Sequence, residues 1–167
     1  ENFRQHVERI RAVAQILGDH GIRFGMEYCA TPSLRIGKHH EFIHSLPQLR
    51  ELIAAIGAPN LGLVLDSWHW WMSGSPSDEL AALRREEIVS LDLDDAPAGV
   101  PQKLLGDRHR ELPGTTGVID LERFVGTIRQ LGYDGPVRAE PFEFPSLGLT
   151  ADEICRLARQ SLRSVLS

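Results

Sequence analysis

The sequence predicts an α/β protein in which a leading helix is followed by four strand–helix units, and two observations support this prediction. Apolar residues recur at helical spacing in the longer segments. Short apolar runs lie between them, and LGLVLD at Leu61–Asp66 is nearly continuous, as in a strand buried on both faces. Because strands that alternate with helices pair in parallel through right-handed crossovers, four units make either a small open sheet or one half of a (βα)8 barrel.

The first part of the chain contains two predicted helices and two predicted strands. The first helix covers residues 2–17, and the second covers Ser45–Ile56 and ends at Gly57. The strands are Ile22–Tyr28 and Leu61–Asp66. The apolar stripes that predict the two helices are Phe3, Val7, Ile10, Val13 and Leu17, then Leu46, Leu49, Leu52, Ile53 and Ile56.

The second part repeats this alternation after a cluster of tryptophans. A short helix is predicted at Ser77–Leu83, after a Ser-Pro pair suited to a helix start. The strand Ile88–Leu93 precedes a Pro/Gly-rich loop over residues 96–119, and a loop of this length in a compact domain is more often functional than idle. The remaining predicted elements are a helix from Asp120 to Gly132, a strand at Pro136–Glu140 and a helix at Thr150–Leu166 that begins with a capping box.

Length and composition restrict the class of protein. With 167 residues, 42% hydrophobic and 25% charged, we expect residues 1–167 to form a single folded domain. The net charge of −5 gives no basic face for nucleic acid or an anionic membrane, and no apolar run approaches the ~20 residues that span a bilayer. Two cysteines, Cys29 and Cys155, are too few for a disulfide framework, so we expect a reducing cytoplasm.

The beginning of the chain suggests a piece of something larger. It lacks an initiator Met and the layout of a signal peptide, and it opens directly into a helical pattern. A half barrel would also expose two apolar strand edges. We therefore expect the other half to come from an N-terminal part of a longer chain or from a partner copy in a homo-oligomer.

Acidic residues at the ends of the predicted strands are the strongest functional signal. Each strand ends in an acid, at Glu27, Asp66, Asp92 (or Asp94 and Asp95) and Glu140. In parallel α/β folds the carboxyl ends of the strands face one site, so these acids should converge. Packed carboxylates repel unless a cation joins them, and oxygen-rich ligation suits Mg²⁺ or Mn²⁺. Any one of them taken alone could instead be a solvated loop residue or a helix N-cap.

Other residues near these strand ends each have two possible interpretations. His69 follows Asp66 among aromatic residues and could contact substrate or make an ordinary polar contact. Trp68 could line a substrate pocket or belong to the core. Arg110, in the long loop, could be a solvated charge or could bind a polyhydroxylated or anionic substrate through its fork of donors.

Five segments together resemble the xylose-isomerase-like sugar phosphate isomerase/epimerase superfamily. They are MEY, LVLDSWHWW, LDLDDAP, RELPGTTGVIDL and VRAEPFE. The resemblance implies a TIM-type (βα)8 barrel of which this chain supplies about four units, strands five to eight. It also implies a divalent metal (Mn, Mg, Co or Zn) held by Glu27, Asp66, Asp92 and Glu140, with His69, Arg110 and Trp68 at the substrate. Asp92 stands where the family usually has His, and an alignment through Asp94 is the alternative.

The activity implied by the resemblance is isomerisation or epimerisation of a small sugar or polyol ketone through an enediolate. Glu27 and Glu140 would remove and return the proton beside the carbonyl. A dehydratase of an inosose-like or dehydroshikimate-like substrate is the nearest alternative within enzymes. A sugar-binding domain that has lost the metal, suggested by Asp92, is the alternative outside enzymes.

Overall fold

The computed structural model of the protein describes residues 1–142 and 148–167, and it contains a four-stranded parallel sheet. Glu143, the last residue of the VRAEPFE segment, lies outside the described residues. The strands lie side by side in chain order, each paired with the next. They are β1 at Phe24–Met26, β2 at Leu61–Asp66, β3 at Ile88–Leu93 and β4 at Val137–Ala139.

Helices connect and flank these strands. The long ones lie where the apolar stripes predict them, and short helical turns fill the connections. They are α1 at Asn2–Asp19, α2 at Pro32–Arg35, α3 at Leu46–Ile56, α4 at Ser67–Ser73, α5 at Ser77–Ala81, α6 at Leu121–Gln130 and α7 at Ala151–Leu166, with 3₁₀ turns at Arg85–Glu87 and Gln102–Leu104. Within residues 1–142 and 148–167, no helix combines the length and the hydropathy needed to cross a membrane.

The predicted alternation of strands and helices is confirmed, and the differences are local. The bounds of β2 and β3 agree with the prediction, whereas β1 and β4 are three residues long, so Glu27 and Glu140 directly follow their strands. The sequence did not predict α4. It begins at the end of β2 because the carboxylate of Asp66 accepts a hydrogen bond of 2.7 Å from the backbone N–H of Trp68 and caps the first turn.

The core fills the space between the sheet and the helices. The stripe of α3 is buried at Leu46, Leu49, Leu52 and Ile56, as its period predicts. On the sheet itself, two glycines allow neighbouring strands to pack closely. A Cβ atom at Gly25 would lie 2.7 Å from Val64 Cγ2, and one at Gly62 would lie 2.5 Å from the carbonyl oxygen of Glu87. Any side chain at these positions would push the strands apart.

Asp95 organises the long loop over residues 96–119. Its backbone forms an antiparallel bridge with Glu111, and its buried carboxylate accepts hydrogen bonds from backbone N–H groups across the far end of the loop. The donors are Ala96, Thr116, Gly117, Val118 and Ile119, at 2.8–3.1 Å. We call this arrangement the Asp95 anchor. It fixes the loop beside the carboxyl ends of the strands and so positions Arg110.

Candidate active site

Four acids gather at the carboxyl ends of the strands, as the sequence predicted for three of them. Asp66 closes β2, and Glu27, Asp94 and Glu140 each follow directly after β1, β3 and β4. Their oxygens form two groups with the spacing of metal ligands. One consists of Glu27, Asp66 and His69, the other of Asp66, Asp94 and Glu140, and in each group one ligand atom per residue lies within 4.8 Å of the others. We call the four acids, Glu27, Asp66, Asp94 and Glu140, the carboxylate cluster.

Arg110 lies inside the carboxylate cluster. Its Nη1 donates to Asp66 Oδ2 at 2.6 Å, and to Asp94 Oδ2 and Glu140 Oε2 at 2.9 Å each. The residue is only 4% exposed. Although burial opposes the charge, Asp66 and Asp94 raise the pKa of Arg110, so the guanidinium remains a cation. The resemblance implied that Arg110 binds the substrate, whereas in this structure its Nη1 donates to the acids themselves.

Asp107 ties Arg110 to the loop after β1, and sequence reasoning missed it. Asp107 Oδ1 accepts from Arg110 Nη2 at 2.9 Å and from Thr31 Oγ1 at 3.0 Å. The Thr31 hydroxyl in turn accepts from Trp68 Nε1 at 2.9 Å. A single aspartate in a long polar loop has no sequence signature, although its spacing of three residues from Arg110 allows the contact.

Trp68 lies behind the site and does not line it. Its side chain has no exposed surface, and its ring centroid is 5.6 Å from the Arg110 guanidinium carbon. The ring centroid of Phe142 lies 4.8 Å from the same guanidinium carbon. The predicted substrate contact of Trp68 is therefore replaced by a supporting role, because the described residues bury the whole indole.

His69 faces the cluster as a neutral ring. It is 1% exposed, and its Nδ1 accepts from the backbone N–H of Ala30 at 3.2 Å. Burial, reinforced by Arg110, lowers the pKa of His69 to about 4. The other ring nitrogen, Nε2, lies 3.3 Å from Arg110 Nη2, which can only donate, and 3.8 Å from Asp66 Oδ2. His69 thus presents Nε2 to the cluster.

Asp92 differs from the role that the resemblance implied for it. Both of its oxygens accept from Arg138, from Nε at 2.7 Å and from Nη2 at 2.5 Å. It belongs to neither group of ligand atoms within the described part of the chain. The physical reason is position: Asp92 lies inside β3, in register with Arg138 on β4, whereas Asp94 lies just beyond the strand.

The cluster crowds four carboxyl groups around one cation, Arg110, and this crowding disfavours their ionisation. Burial and the neighbouring Asp66 raise the pKa of Asp94 to about 9, and burial raises that of Asp66 to about 6. Part of Glu27 faces solvent, yet loss of water around its carboxylate, together with Asp66 and Glu140, raises its pKa to about 8. Asp94 Oδ1 is buried without a hydrogen-bond partner among the described residues.

These features fit a divalent cation. Crowded carboxylates with raised pKa values and an orphaned buried oxygen are what a bound cation would relieve. The donors are carboxylate oxygens with one neutral imidazole nitrogen, a set that Mg²⁺, Mn²⁺ and Zn²⁺ accept.

Parallel βα units with acids and a histidine at the carboxyl edge of the sheet define a TIM-barrel type of protein, in which this edge carries the functional groups. Residues 1–164 match the xylose isomerase-like TIM barrel family, and the chain belongs to that family.

The relatives include isomerases, dehydratases and an epimerase. The inosose isomerase of Halalkalibacterium halodurans is 27% identical over 164 residues, which cover 98% of this chain and 55% of the relative. A 3-dehydroshikimate dehydratase of Pseudomonas putida is 30% identical, covering 96% of this chain and 24% of the relative. A ketose 3-epimerase of Arthrobacter globiformis is 31% identical, and the match covers 87% of this chain and 43% of the relative. The chain thus spans about half the length of the inosose isomerase.

Solved structures agree on the fold. A xylose isomerase domain protein of Alicyclobacillus acidocaldarius is 36% identical, with a TM-score of 0.85 over 99% of this chain and 59% of that one. The IOLI protein, whose crystal structure contains a bound zinc atom, is 25% identical. Its TM-score is 0.84, and the match covers 99% of this chain and 56% of that one.

Proposed function

We propose that this chain forms part of a divalent-metal-dependent isomerase or epimerase of a small sugar or polyol ketone. The observation that carries the proposal is the carboxylate cluster, with its spacing of ligand atoms and its raised pKa values. Glu27, Asp66 and Glu140 would hold the metal, and Asp94, whose Oδ1 has no partner among the described residues, adds a fourth carboxylate. When bound, such a metal supplies Lewis-acid stabilisation of negative charge on substrate oxygens.

The residues of the chain would carry the proton transfers. Isomerisation moves a proton from the carbon beside the carbonyl to the neighbouring carbon, and epimerisation returns it to the other face of the same carbon. In the metal-free chain the pKa of Glu27 is raised to about 8, and a carboxylate at this position would accept and release the proton beside the carbonyl. Burial also raises the pKa of Glu140. We assign the two proton transfers to these glutamates.

His69 and Arg110 would hold the reacting groups in place. Nε2 of His69 is directed toward the cluster, where it would lie beside a bound substrate. Arg110 contacts three carboxylates at once, so its cation keeps them together and limits their repulsion. Phe142, stacked on the guanidinium and 38% exposed, offers an apolar surface to the carbon face of a sugar ring.

A dehydratase is the second candidate, and the relative of Pseudomonas putida favours it. The first step would be the same proton abstraction, followed by loss of a β-hydroxyl instead of return of the proton. The same acids serve both reactions, so substrate trials decide between them.

The remaining parts of the proposal concern the whole protein. We place the four units at strands five to eight of the barrel and treat residues 1–167 as one domain, supported by the order of the strands and by the share of the relatives that the chain covers. The rest of the barrel would then complete the substrate pocket.

Metal content and proton exchange test the proposal. Protein purified without chelator and dialysed should contain close to one equivalent of Mn, Mg, Co or Zn by plasma mass spectrometry. Asp66→Ala should lose it, and Asp134→Ala, an exposed acid paired with Arg85, should keep it. With inososes and ketoses in deuterated water, NMR should show exchange of the proton beside the carbonyl, lost in Glu27→Gln. Absence of metal after loading with Mn²⁺ would refute the proposal.

A further inference from the structure

We infer that Asp92 and Arg138 form a closed charge pair that keeps Asp92 out of the metal shell and makes Arg138 a determinant of metal affinity. The inference rests on the proposed function only in assuming that the carboxylate cluster binds a cation. It assigns a role to Arg138, for which neither the motifs nor the comparisons give one.

The geometry of the pair is that of a bidentate bond. Asp92 and Arg138 are direct neighbours on the paired strands β3 and β4. The fork of the guanidinium meets both carboxylate oxygens, from Nε at 2.7 Å and Nη2 at 2.5 Å. The Asp92 side chain is 2% exposed. The Arg138 side chain is 61% exposed, so the pair joins a buried carboxylate to a guanidinium that reaches solvent. A metal that took the same carboxylate lone pairs would have to displace the guanidinium.

Two of the acids in the cluster lie beyond this pair. Residues two apart on a strand face the same side, so Asp94 follows Asp92 and Glu140 follows Arg138 on one face. Asp66, which is in register with Asp92, forms a group with ligand spacing together with Asp94 and Glu140, and Asp92 does not belong to it, within the described residues. The charge of Asp92 is therefore neutralised by its own arginine, directly beside acids that share Arg110.

This arrangement predicts opposite effects for the two partners. Asp92→Asn leaves the Arg138 cation without its partner beside the cluster, so a divalent metal should bind more weakly. Arg138→Gln releases a carboxylate beside the cluster, so the metal should bind more tightly. When both are changed, both charges of the pair are gone, so their net charge is zero again and the affinity should return close to that of the parent protein. If Asp92 were a ligand, the double variant would lose the metal together with Asp92→Asn.

The experiment measures Mn²⁺ binding by titration calorimetry and by the electron paramagnetic resonance of free Mn²⁺. We expect Asp92→Asn to weaken binding about tenfold at unchanged stoichiometry, Arg138→Gln to tighten it about tenfold, and the double variant to lie within about threefold of the parent. Arg84→Gln, at an exposed arginine paired with Glu87 away from the site, is the control and should change nothing. Loss of binding in the double variant, at about 100-fold or more, would overturn the inference.

A second readout does not need the metal. In urea unfolding of metal-free protein, each single change should lower stability, and the double variant should recover part of the loss, since the partners interact. Arg138→Lys keeps the charge but not the fork, and should lie between the parent and Arg138→Gln in both measurements. If the double variant lost as much stability as the two single variants together, the interaction between Asp92 and Arg138 would be refuted. If the parent bound no Mn²⁺, the proposed function would fail while the unfolding cycle still tested the pair.

Discussion

Asp94 and Asp95 are adjacent, both are fully buried, and their carboxylates lie in opposite electrostatic environments. Burial alone would raise the pKa of Asp95. The backbone N–H donors of Ile119 and Thr116 nevertheless hold this pKa below its usual range. Burial and Asp66 raise the pKa of Asp94 to about 9. Its Oδ2 accepts from Arg110, and its Oδ1 has no hydrogen-bond partner among the described residues.

The difference separates a structural acid from a functional one. The Asp95 anchor is complete in the folded chain, because every donor that it needs comes from its own loop. The carboxylate cluster is incomplete, because Arg110 supplies one positive charge to several acids. When the folded chain does not supply enough partners for a buried ionisable group, that group is a candidate for binding a ligand. The following changes test this division.

Asp95→Ala should have the largest effect. It leaves several backbone N–H groups of the loop without an acceptor, at a cost of about 4 kcal/mol in the free energy of unfolding. Urea unfolding measures the loss, and the difference from the parent protein should be the same with and without Mn²⁺, because Asp95 bonds to the loop backbone and not to the cluster. Asp134→Ala, at an exposed ion pair, should cost about 0.5 kcal/mol or less. An equally small effect of Asp95→Ala would contradict the anchor.

Arg110→Met should come next, and metal should rescue it. Without the guanidinium, Asp66, Asp94 and Glu140 repel one another, and we expect a loss of about 3 kcal/mol in the metal-free protein. Here Mn²⁺ should restore most of the stability, since a cation replaces the lost charge. Arg108→Met, at an exposed arginine of the same loop, is the matched control. A loss that metal leaves unchanged would argue against a cation site.

The pH dependence of stability should distinguish the two aspartates. Because the folded pKa of Asp94 is raised to about 9, its favourable contribution is present below the unfolded value of about 4 and is lost as the pH rises through about 9. The folded pKa of Asp95 is lowered, so its contribution is present above that unfolded value and is lost as the pH falls through its folded pKa. Asp94→Asn should therefore flatten the alkaline side of the stability profile by about 2 kcal/mol. An unchanged alkaline slope in thermal or urea unfolding between pH 5 and pH 9 would count against the raised pKa.

Thr31→Val should have the smallest effect. It removes the hydroxyl that accepts from Trp68 and donates to Asp107 while nearly preserving volume, so we expect a loss of about 1 kcal/mol. The larger consequence should be looser placement of Arg110, seen as weaker Mn²⁺ binding in calorimetry. Thr127→Val, at an exposed helix threonine, controls for the substitution. Equal effects of the two valine variants would mean that the Thr31 contacts do not position the site.

The sequence predicted the fold where a single signal decides it. The nearly continuous apolar run of β2 set its bounds, and the spacing of Thr150 and Glu153 revealed the capping box of α7. β1 and β4 were predicted longer than the three residues that each of them pairs. The helix α4 was missed because it is short and its start depends on the Asp66 side chain.

The site was predicted in outline and missed in detail for related reasons. The convergence of Glu27, Asp66 and Glu140 follows from parallel topology alone. The choice between Asp92 and Asp94 depends on where β3 ends and on an arginine on the next strand, and neither is visible in the spacing of acids. Asp107 required the folded loop, since its partners lie both near and far along the chain.

The position of α4 gives the protein a built-in optical reporter. All three tryptophans of the chain lie in this one helix, directly after Asp66. The rings of Trp68 and Trp71 are 5.8 Å apart, and that of Trp68 lies against Arg110. Indole fluorescence of this chain therefore arises beside the carboxylate cluster, with no background from distant tryptophans. Any shift of Arg110 on cation binding can be followed by emission from the unlabelled protein, in real time.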